Sequence, residues 1–248
     1  MKPESLGERY VAGTRYSRRD MSAIGSLGDR DPGTYKHYPD ALEAVSLPAP
    51  ESAGGAPMWD AIHRRRSARG YAPEPLGLKE LSQLLWAMNG LTKVTSHFQF
   101  RSSPSAGALY PVETYLVANN VEGIDRGIFH HDIRNFKLEM LRRGDFSAQV
   151  AEAGLGQNFL AKAAVVFVWT AVVARARVKY QDRAYRYLYM DAGHIGQNLY
   201  LAAAGMGLGC CAVGAFFDDE VEALVGADGK MEIALYMGAV GKLKNRSG

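Results

Sequence analysis

Cysteine is scarce in this chain, and its scarcity argues against several kinds of site. The 248 residues contain two cysteines, the neighbours Cys210 and Cys211. Adjacent residues in a strand point to opposite faces, so a disulfide between them is disfavoured and metal-site spacing is absent. We predict two small buried side chains in a reducing compartment, with a redox role for the pair as the alternative.

A strong excess of charge of either sign is also missing. The chain has 29 basic and 26 acidic residues, and its net charge of +3 is too small to predict a nucleic-acid partner. A hydrophobic fraction of 47% with 22% charged residues describes an ordinary globular protein. The first residues mix acidic and basic side chains without an apolar run, so we expect no signal peptide.

Only one uncharged run, residues 195–217, is long enough to span a bilayer. The glycine-rich segment 205–209 inside it would break a spanning helix. We interpret the run as the end of a buried helix, a glycine turn and a buried strand. The sequence therefore predicts no membrane partner and a cytoplasmic location.

The common catalytic and nucleotide-binding motifs are missing too. The chain has no Walker loop, no GxGxxG after a strand, no GxSxG elbow and no HExxH pair. The run His130-His131-Asp132 invites a metal interpretation, but neighbouring strand residues diverge, so we favour a strand end and predict no metal site. We expect His194 to be a buried, hydrogen-bonded core residue. The tryptophans are expected in the core or an interface: Trp59, Trp86 and Trp169.

The order of predicted elements is mixed, without regular βαβ units, which indicates an α+β fold. Residues 1–56 are rich in proline, glycine and tyrosine and predict an irregular arm that wraps over the body or a partner, ahead of a domain over 57–248. Apolar periodicity predicts helices near 78–88, 182–204 and 218–225. It predicts strands at 112–118, 128–131, 136–140, 163–174, 210–216 and 233–240.

The densest charge feature is a run of arginines that we call the arginine cluster: Arg64, Arg65, Arg66, Ser67 and Arg69. Guanidinium groups fork onto phosphate oxygens, and a serine hydroxyl adds a neutral donor. Positive charges this close repel each other unless an anion neutralises them. The cluster therefore indicates a phosphate site for a nucleotide-like cofactor, with a solvated basic helix end as the alternative.

Three further segments stand out at 101–111, 178–198 and 207–215. The first contains PSAGALYP and runs into a strand, so its small residues would let a flat ring approach the backbone; a plain turn is the alternative. The second contains KY, RAYRY and the start of DAGHIGQNLYLAAAGMGLGC. In this order the segments resemble the FMN-dependent nitroreductase family, specifically its SagB-type branch of thiazoline-oxidase-like dehydrogenases. The resemblance covers nearly the whole chain.

The resemblance implies a nitroreductase-like fold, with a central mixed or antiparallel sheet flanked by helices. It implies an intertwined homodimer with one FMN in each of two interfacial sites. The residues expected to hold the phosphate and ribityl chain are Arg65, Arg66, Ser67 and Arg69, with Lys242 as a further phosphate contact. Those expected around the flavin ring are Pro104, Ser105, Ala106 and Gly107 from the partner subunit, Gln157 at the ring edge, and Val213, Gly214 and Ala215 over the other face. The backbone N–H of Gly214 is expected to donate to flavin N5.

The pair Lys179-Tyr180 is linked to catalysis in the azoline-oxidising branch. Aromatising a thiazoline or oxazoline needs a base to take a proton from carbon while a hydride goes to flavin N5. We expect Lys179, deprotonated through burial or nearby arginines, to be the base and Tyr180 to relay or polarise. The alternative is a surface lysine and a packing tyrosine ahead of a helix. Arg183 and Arg186 are expected to bind a substrate carboxylate or to pair with acids.

Three functions follow from these residues. The first is an FMN-dependent oxidoreductase that oxidises an azoline to an azole, on a small molecule or a heterocycle-bearing peptide. The second is an NAD(P)H-dependent reductase of nitro compounds or quinones. The third is a non-catalytic flavin- or partner-binding subunit of a biosynthetic complex. The sequence leaves O2 and NAD(P)H open as the redox partner.

Overall fold

An antiparallel sheet forms the centre of the protein. The computed structural model describes residues 4–18, 33–95 and 99–244. The strands are β1 (Glu43–Ser46), β2 (Leu91–Val94), β3 (Gln99–Arg101), β4 (Val112–Ala118), β5 (Gly127–Asp132), β6 (Lys137–Arg143), β7 (Val165–Val172), β8 (Leu208–Val213) and β9 (Glu232–Lys242). Seven of them form one sheet in the order β1-β6-β5-β4-β7-β9-β8, and β2 pairs with β3 separately.

Helices cover both faces of this sheet. They are α1 (Leu6–Gly13), α2 (Met58–Arg64), α3 (Leu78–Asn89), α4 (Ser147–Ala153), α5 (Phe159–Lys162), α6 (Val173–Tyr180), α7 (Ala184–Gly205) and α8 (Asp218–Val225). None of the helices in the described ranges has the length and apolarity needed to cross a lipid bilayer.

The central strand β7 explains the layering. Its side chains alternate between two apolar clusters, so that Phe167 and Trp169 pack with α3 and α7 while Val166 and Val168 pack with α4 and α8. Residues Val165 to Ala171 are all buried, as a β-branched run covered on both faces requires. Burial of such side chains stabilises the fold by about 1.5–3 kcal/mol each.

The strand predicted at 163–174 is shorter in the structure, because the chain leaves the sheet after Val172 and enters α6. Helix α6 ends at Tyr180, where Gln181 has a φ of 49°. One turn of 3₁₀ helix over Gln181–Arg183 then leads into α7. Lys179 and Tyr180 therefore lie in the last turn of a helix that the sequence did not predict.

The N-terminal arm is less irregular than expected. Its helix α1 begins with a capping box in which Ser5 and Glu8 exchange hydrogen bonds, because each satisfies a free N–H of the first turn. Strand β1 pairs antiparallel with β6 and extends the main sheet by one strand. The assignment of residues 1–56 as a separate unit stays a prediction.

One side chain expected in the core, that of His194, is exposed instead. Helix α7 packs one face on the sheet and leaves the other open, and His194 lies on the open face beside Gly193. Trp59 is 78% exposed on α2, whereas Trp169 is fully buried as expected. Periodicity predicted α7 but did not distinguish its two faces, because small residues occur on both.

Candidate functional site

The arginine cluster follows α2 and runs beside strand β8. The N–H of Ala68 donates to the Cys210 carbonyl at 2.8 Å. The Ser67 hydroxyl lies 2.9 Å from the hydroxyl of Tyr200, which also accepts from the Ala212 N–H at 2.8 Å. Strand β8 and the last turns of α7 therefore fix the backbone of the cluster. Both cysteines are buried and unpaired, as predicted from the sequence.

The guanidinium groups of this cluster lack acidic partners. Arg65 lies 5.3 Å from the ring centre of Tyr200, and Arg69 lies 5.6 Å from that of Phe159. Arg66 donates only to backbone carbonyls. Within residues 4–18, 33–95 and 99–244, no carboxylate lies within 4.0 Å of these three groups. Uncompensated guanidinium groups around a serine hydroxyl fit the phosphate of FMN.

Lys242, expected to contact the same phosphate, is engaged elsewhere. Its ammonium group lies 2.5 Å from a Glu80 oxygen, and the other oxygen of that carboxylate accepts from the Gly77 N–H at 2.8 Å. The Lys242 charge is therefore already neutralised at the start of α3. A phosphate contact by Lys242 would require this ion pair to open, and it stays a prediction.

Gln157 connects two of the segments expected near the flavin ring. Its side-chain amide donates to the Gly154 carbonyl at 2.7 Å and to the Ala215 carbonyl at 3.1 Å. Val213 is buried at the end of β8, whereas Gly214 and Ala215 are exposed just beyond it. The structure thus brings Gln157 to the loop that follows β8, on an open surface. Their contacts with flavin stay predictions.

The loop over 104–107 is fixed by Asp191, a residue that sequence reasoning missed. The Ser105 hydroxyl donates to one Asp191 oxygen at 2.5 Å and the Ala106 N–H to the other at 3.2 Å. The N–H of Tyr110 donates back to the Ser105 oxygen at 2.9 Å. Burial raises the pKa of Asp191 above its ordinary value. An acid among the small residues of α7 was the only available signal.

Lys179 and Tyr180 converge on this loop at Gly107. Gly107 has a φ of 64°, and a methyl group built there would lie 2.6 Å from the Tyr180 hydroxyl and 2.8 Å from Lys179 Nζ. Lys179 is exposed in the single chain, and its role as a base stays a prediction. In the described part of the chain no carboxylate lies within 4.0 Å of its ammonium group. The pair and the loop therefore form one polar corner.

Arg183 contacts the arm and α7, and within the described residues no carboxylate lies within 4.0 Å of its guanidinium group. Its binding of a substrate carboxylate stays a prediction. Its Nη1 donates to the Thr14 carbonyl at 2.5 Å, and its Nε donates to the Tyr187 hydroxyl at 2.9 Å. Its guanidinium carbon lies 4.3 Å above the ring of Tyr16. The arm thus lies against α7 next to the Lys179–Tyr180 pair. A carboxylate-binding role for Arg186 stays a prediction.

The two groups of residues lie at different levels of α7. Asp191 fixes the 104–107 loop and Tyr200 fixes the arginine cluster. The two are separated by about 14 Å along the axis, at 1.5 Å per residue. In a single chain the arginine cluster and the Lys179–Tyr180 corner are therefore well apart.

A buried charge network lies under α6, on the inner strands. His130 lies between Glu113 at 3.2 Å and Glu139 at 3.0 Å, and Arg175 of α6 pairs with Glu113 at 2.5 Å. Burial alone would raise the pKa of Glu113, but His130 and Arg175 lower it to about 2. Burial opposes the charge of His130 as well, yet its two carboxylate neighbours raise its pKa. The network ties α6 to the sheet.

One corner of this network has the residue types of a cation site. His37, Asp132 and Glu139 offer ligand atoms within 4.8 Å of one another. The ammonium group of Lys137 lies 3.2 Å from Glu139 and 3.7 Å from Asp132. Lys137 thus supplies the positive charge that an ion would bring. The absence of a metal site stays a prediction.

The comparisons with known proteins agree with this geometry. A family model described as Nitroreductase family matches residues 62–242. The chain therefore belongs to the nitroreductase family. This confirms the predicted fold, a central antiparallel sheet flanked by helices, and the predicted class of FMN-type oxidoreductase.

Among curated proteins, the chain is 37% identical over 168 residues to Putative nitroreductase MJ1384 of Methanocaldococcus jannaschii, covering 68% of this chain and 83% of that protein. It is 30% identical over 113 residues to Microcin B17-processing protein McbC of Escherichia coli, covering 44% of this chain and 42% of that protein. The second match supports the SagB-type branch. The chain spans under half of that relative's length.

Among solved structures, the chain resembles a putative nitroreductase from Anabaena variabilis with a TM-score of 0.72 and 30% identity. The match covers 88% of this chain and 45% of that chain. The chain therefore spans under half of the solved protein.

Proposed function

We propose that the protein is an FMN-dependent oxidoreductase that oxidises a thiazoline or oxazoline ring to the azole, on a small molecule or within a peptide. One observation carries this proposal: Lys179 and Tyr180 converge on Gly107, in the loop that the family resemblance assigns to the flavin. A lysine without an acidic partner beside a tyrosine hydroxyl is a suitable base pair for removing a proton from carbon.

The cofactor would be held by two groups of side chains. The phosphate would lie against the Ser67 hydroxyl and the guanidinium groups of Arg65, Arg66 and Arg69. These charges have no acidic partner in the described chain. The ring would lie against residues 104–107, Gln157 and residues 213–215. When bound, FMN supplies the hydride acceptor for the two-electron oxidation.

The chain's own residues would handle the proton that accompanies the hydride. In its neutral amine form, Lys179 would take the proton from the azoline carbon at Nζ, and the Tyr180 hydroxyl would donate a hydrogen bond to a ring heteroatom. Gly107 leaves the space between them open, because any side chain there would meet both groups. Aromatisation removes two hydrogens, one as this proton and one as the hydride, so the step is balanced.

A second copy of the chain would complete each site. The arginine cluster and the Lys179–Tyr180 corner lie apart along α7, and apolar side chains near both are exposed. Trp59 is 78%, Tyr189 58% and Met190 52% exposed. Aromatic and methionine side chains exposed together are typical of interfaces. We therefore propose a homodimer with shared sites.

A second candidate function is the reduction of nitro compounds or quinones by NAD(P)H. The relative that is 37% identical carries a nitroreductase name, and such a reaction needs no base at Lys179. The two functions share the flavin site and differ in whether Lys179 is needed. O2 and NAD(P)H are the candidate redox partners.

The test starts with an absorbance spectrum of the purified protein, then anaerobic NADPH and re-aeration. A yellow protein supports the cofactor, and fast bleaching by NADPH favours the reductase. Lys179→Ala should keep the flavin and lose azole formation from a thiazoline peptide, measured by mass spectrometry as the loss of two hydrogens. Lys230→Ala, at an exposed lysine on the turn before β9, is the control. Unchanged turnover in Lys179→Ala would remove the azoline proposal.

A further inference from the structure

Arg183 holds a stretch of the chain's own backbone in place. Its Nη1 donates to the Thr14 carbonyl at 2.5 Å, while its guanidinium group stacks 4.3 Å above the ring of Tyr16. Its Nε donates to Tyr187, which fixes the direction of the fork. A backbone carbonyl and an aromatic side chain two residues later are groups that a free peptide can offer as well. Nothing in this recognition depends on the identity of residue 14, because the carbonyl is common to every peptide.

Arg183 and Tyr187, which hold this segment, adjoin the Lys179–Tyr180 corner. The rings of Tyr187 and Tyr180 have centres 4.6 Å apart. The Tyr180 hydroxyl in turn reaches the open space at Gly107. A peptide bound by Arg183 would therefore continue directly toward the place where the proposed proton transfer occurs.

The bound segment is weakly attached to the rest of the protein. Helix α1, which leads into it, buries no residue, and Leu6 is 76% exposed. Thr14 is the only buried residue in the described range 4–18. An eight-residue helix is marginal on its own, so its attachment depends on contacts such as those of Thr14 and Tyr16 with Arg183. A segment held this way opens easily.

We propose that Arg183, Tyr187 and Tyr180 form a peptide-binding subsite, which residues 14–16 occupy in the resting chain. A substrate peptide takes their place when it binds. Its backbone carbonyl accepts from Arg183, an aromatic or apolar side chain covers the guanidinium group, and its heterocycle reaches Lys179. This inference rests on the proposed function for its substrate, but the subsite can be tested without any turnover.

Competition between the tethered segment and a free peptide gives the test. A tethered segment has a high effective concentration, so the full-length wild type should bind a free peptide poorly. The probe is a fluorescent peptide of the chain's own residues 10–18, YVAGTRYSR, followed by anisotropy. The arm variant Thr14→Gly with Tyr16→Ala loses the Thr14 side-chain bond to Tyr10 and the stacking, and should bind the probe about tenfold more tightly than the wild type.

Adding Arg183→Ala to the arm variant should reduce probe binding about tenfold or more, because the charged donor to the carbonyl is gone. Arg183→Lys should also weaken it, since lysine lacks the fork, and it replaces Arg183→Ala if that variant fails to fold. Arg177→Ala, which removes an exposed charge on α6 paired with Asp182, is the matched control and should leave binding unchanged.

Equal probe binding by the wild type and the arm variant would overturn the proposal. So would binding that survives both Arg183 substitutions. If the probe binds as expected but the protein forms no azole, the result counts against the proposed reaction and leaves the subsite in place. The two failures are therefore distinguishable.

Discussion

Replacing Gly107 by alanine tests the proposed chemistry, because the added methyl group would meet both Lys179 and Tyr180. Gly107→Ala would place a Cβ 2.6 Å from the Tyr180 hydroxyl and 2.8 Å from Lys179 Nζ. Both groups are ends of flexible side chains, so they would move away by roughly 1 Å, a displacement that commonly costs about 100-fold in rate. We expect kcat for azoline oxidation to fall by about that factor.

The same substitution carries a backbone cost, because alanine at a φ of 64° is strained. That cost is about 1–2 kcal/mol of the free energy of unfolding. Gly226→Ala is the matched control: its φ is 79°, nothing lies within 4 Å of the added methyl, and it caps α8 away from the site.

Denaturant unfolding and steady-state kinetics on both variants separate the two effects. We expect similar losses of stability, within about 0.5 kcal/mol, because the flexible side chains yield cheaply. Only Gly107→Ala should lose turnover. The reasoning would be refuted if Gly107→Ala kept its kcat, or if both variants lost it equally, since the proposed roles of Lys179 and Tyr180 require them to stay at the loop.

Three further predictions concern the cofactor, the loop and acid. Arg69→Ala should lower the flavin content of the purified protein by weakening FMN binding about tenfold or more, with unchanged circular dichroism; full flavin occupancy would contradict the phosphate role. Asp191→Ala should leave the Ser105 hydroxyl without its acceptor and cost about 1–3 kcal/mol in urea unfolding, whereas an unchanged midpoint would show that the carboxylate does not anchor the loop. The pKa values of Glu113 and Glu139 are both lowered to about 2 in the folded chain, so the stability they contribute is present above pH 4.5 and lost as the pH falls toward 2. The free energy of unfolding, measured as a function of pH, should show this loss, and Glu113→Gln should make the loss smaller.

Several elements could be predicted from the sequence because their signals are local. Strand β4 and helix α8 match the predicted bounds, the first as an apolar run after Pro111 and the second behind acidic first-turn residues. The arginine cluster was evident from charge density alone. For such features, the residues that determine the structure are neighbours in the chain.

Helix α6 could not be predicted because its cause is distant. Its first residues, Val173 and Ala174, continue the apolar run of β7, and no side-chain cap marks its start. What holds it is Arg175, which donates to the Gly33 carbonyl and pairs with Glu113. These partners lie 142 and 62 residues away, and periodicity carries no information about them. The exposed position of Lys179 follows from this unforeseen helix.

The anchoring residues of the candidate site were missed for the same reason. Asp191 binds a loop 85 and 86 residues earlier, and Tyr200 binds Ser67 at a separation of 133 residues. Each looks like an ordinary residue of a long helix. Family resemblance identified the residues expected to contact the cofactor, whereas the side chains that hold those residues in place emerged only from the three-dimensional contacts.

Sharing of the site between two chains can be tested by mixing inactive variants. If the arginine cluster of one copy serves the Lys179 of the other, a heterodimer of Arg69→Ala and Lys179→Ala chains has one doubly damaged site and one intact site. Random mixing makes about half of the dimers mixed, so about a quarter of wild-type azole formation should return after unfolding and refolding the two variants together. Refolding each variant alone is the control and should restore nothing. If each chain carried a whole site, the mixture would stay as inactive as its components, and the separation of Asp191 from Tyr200 along α7 would have no functional meaning.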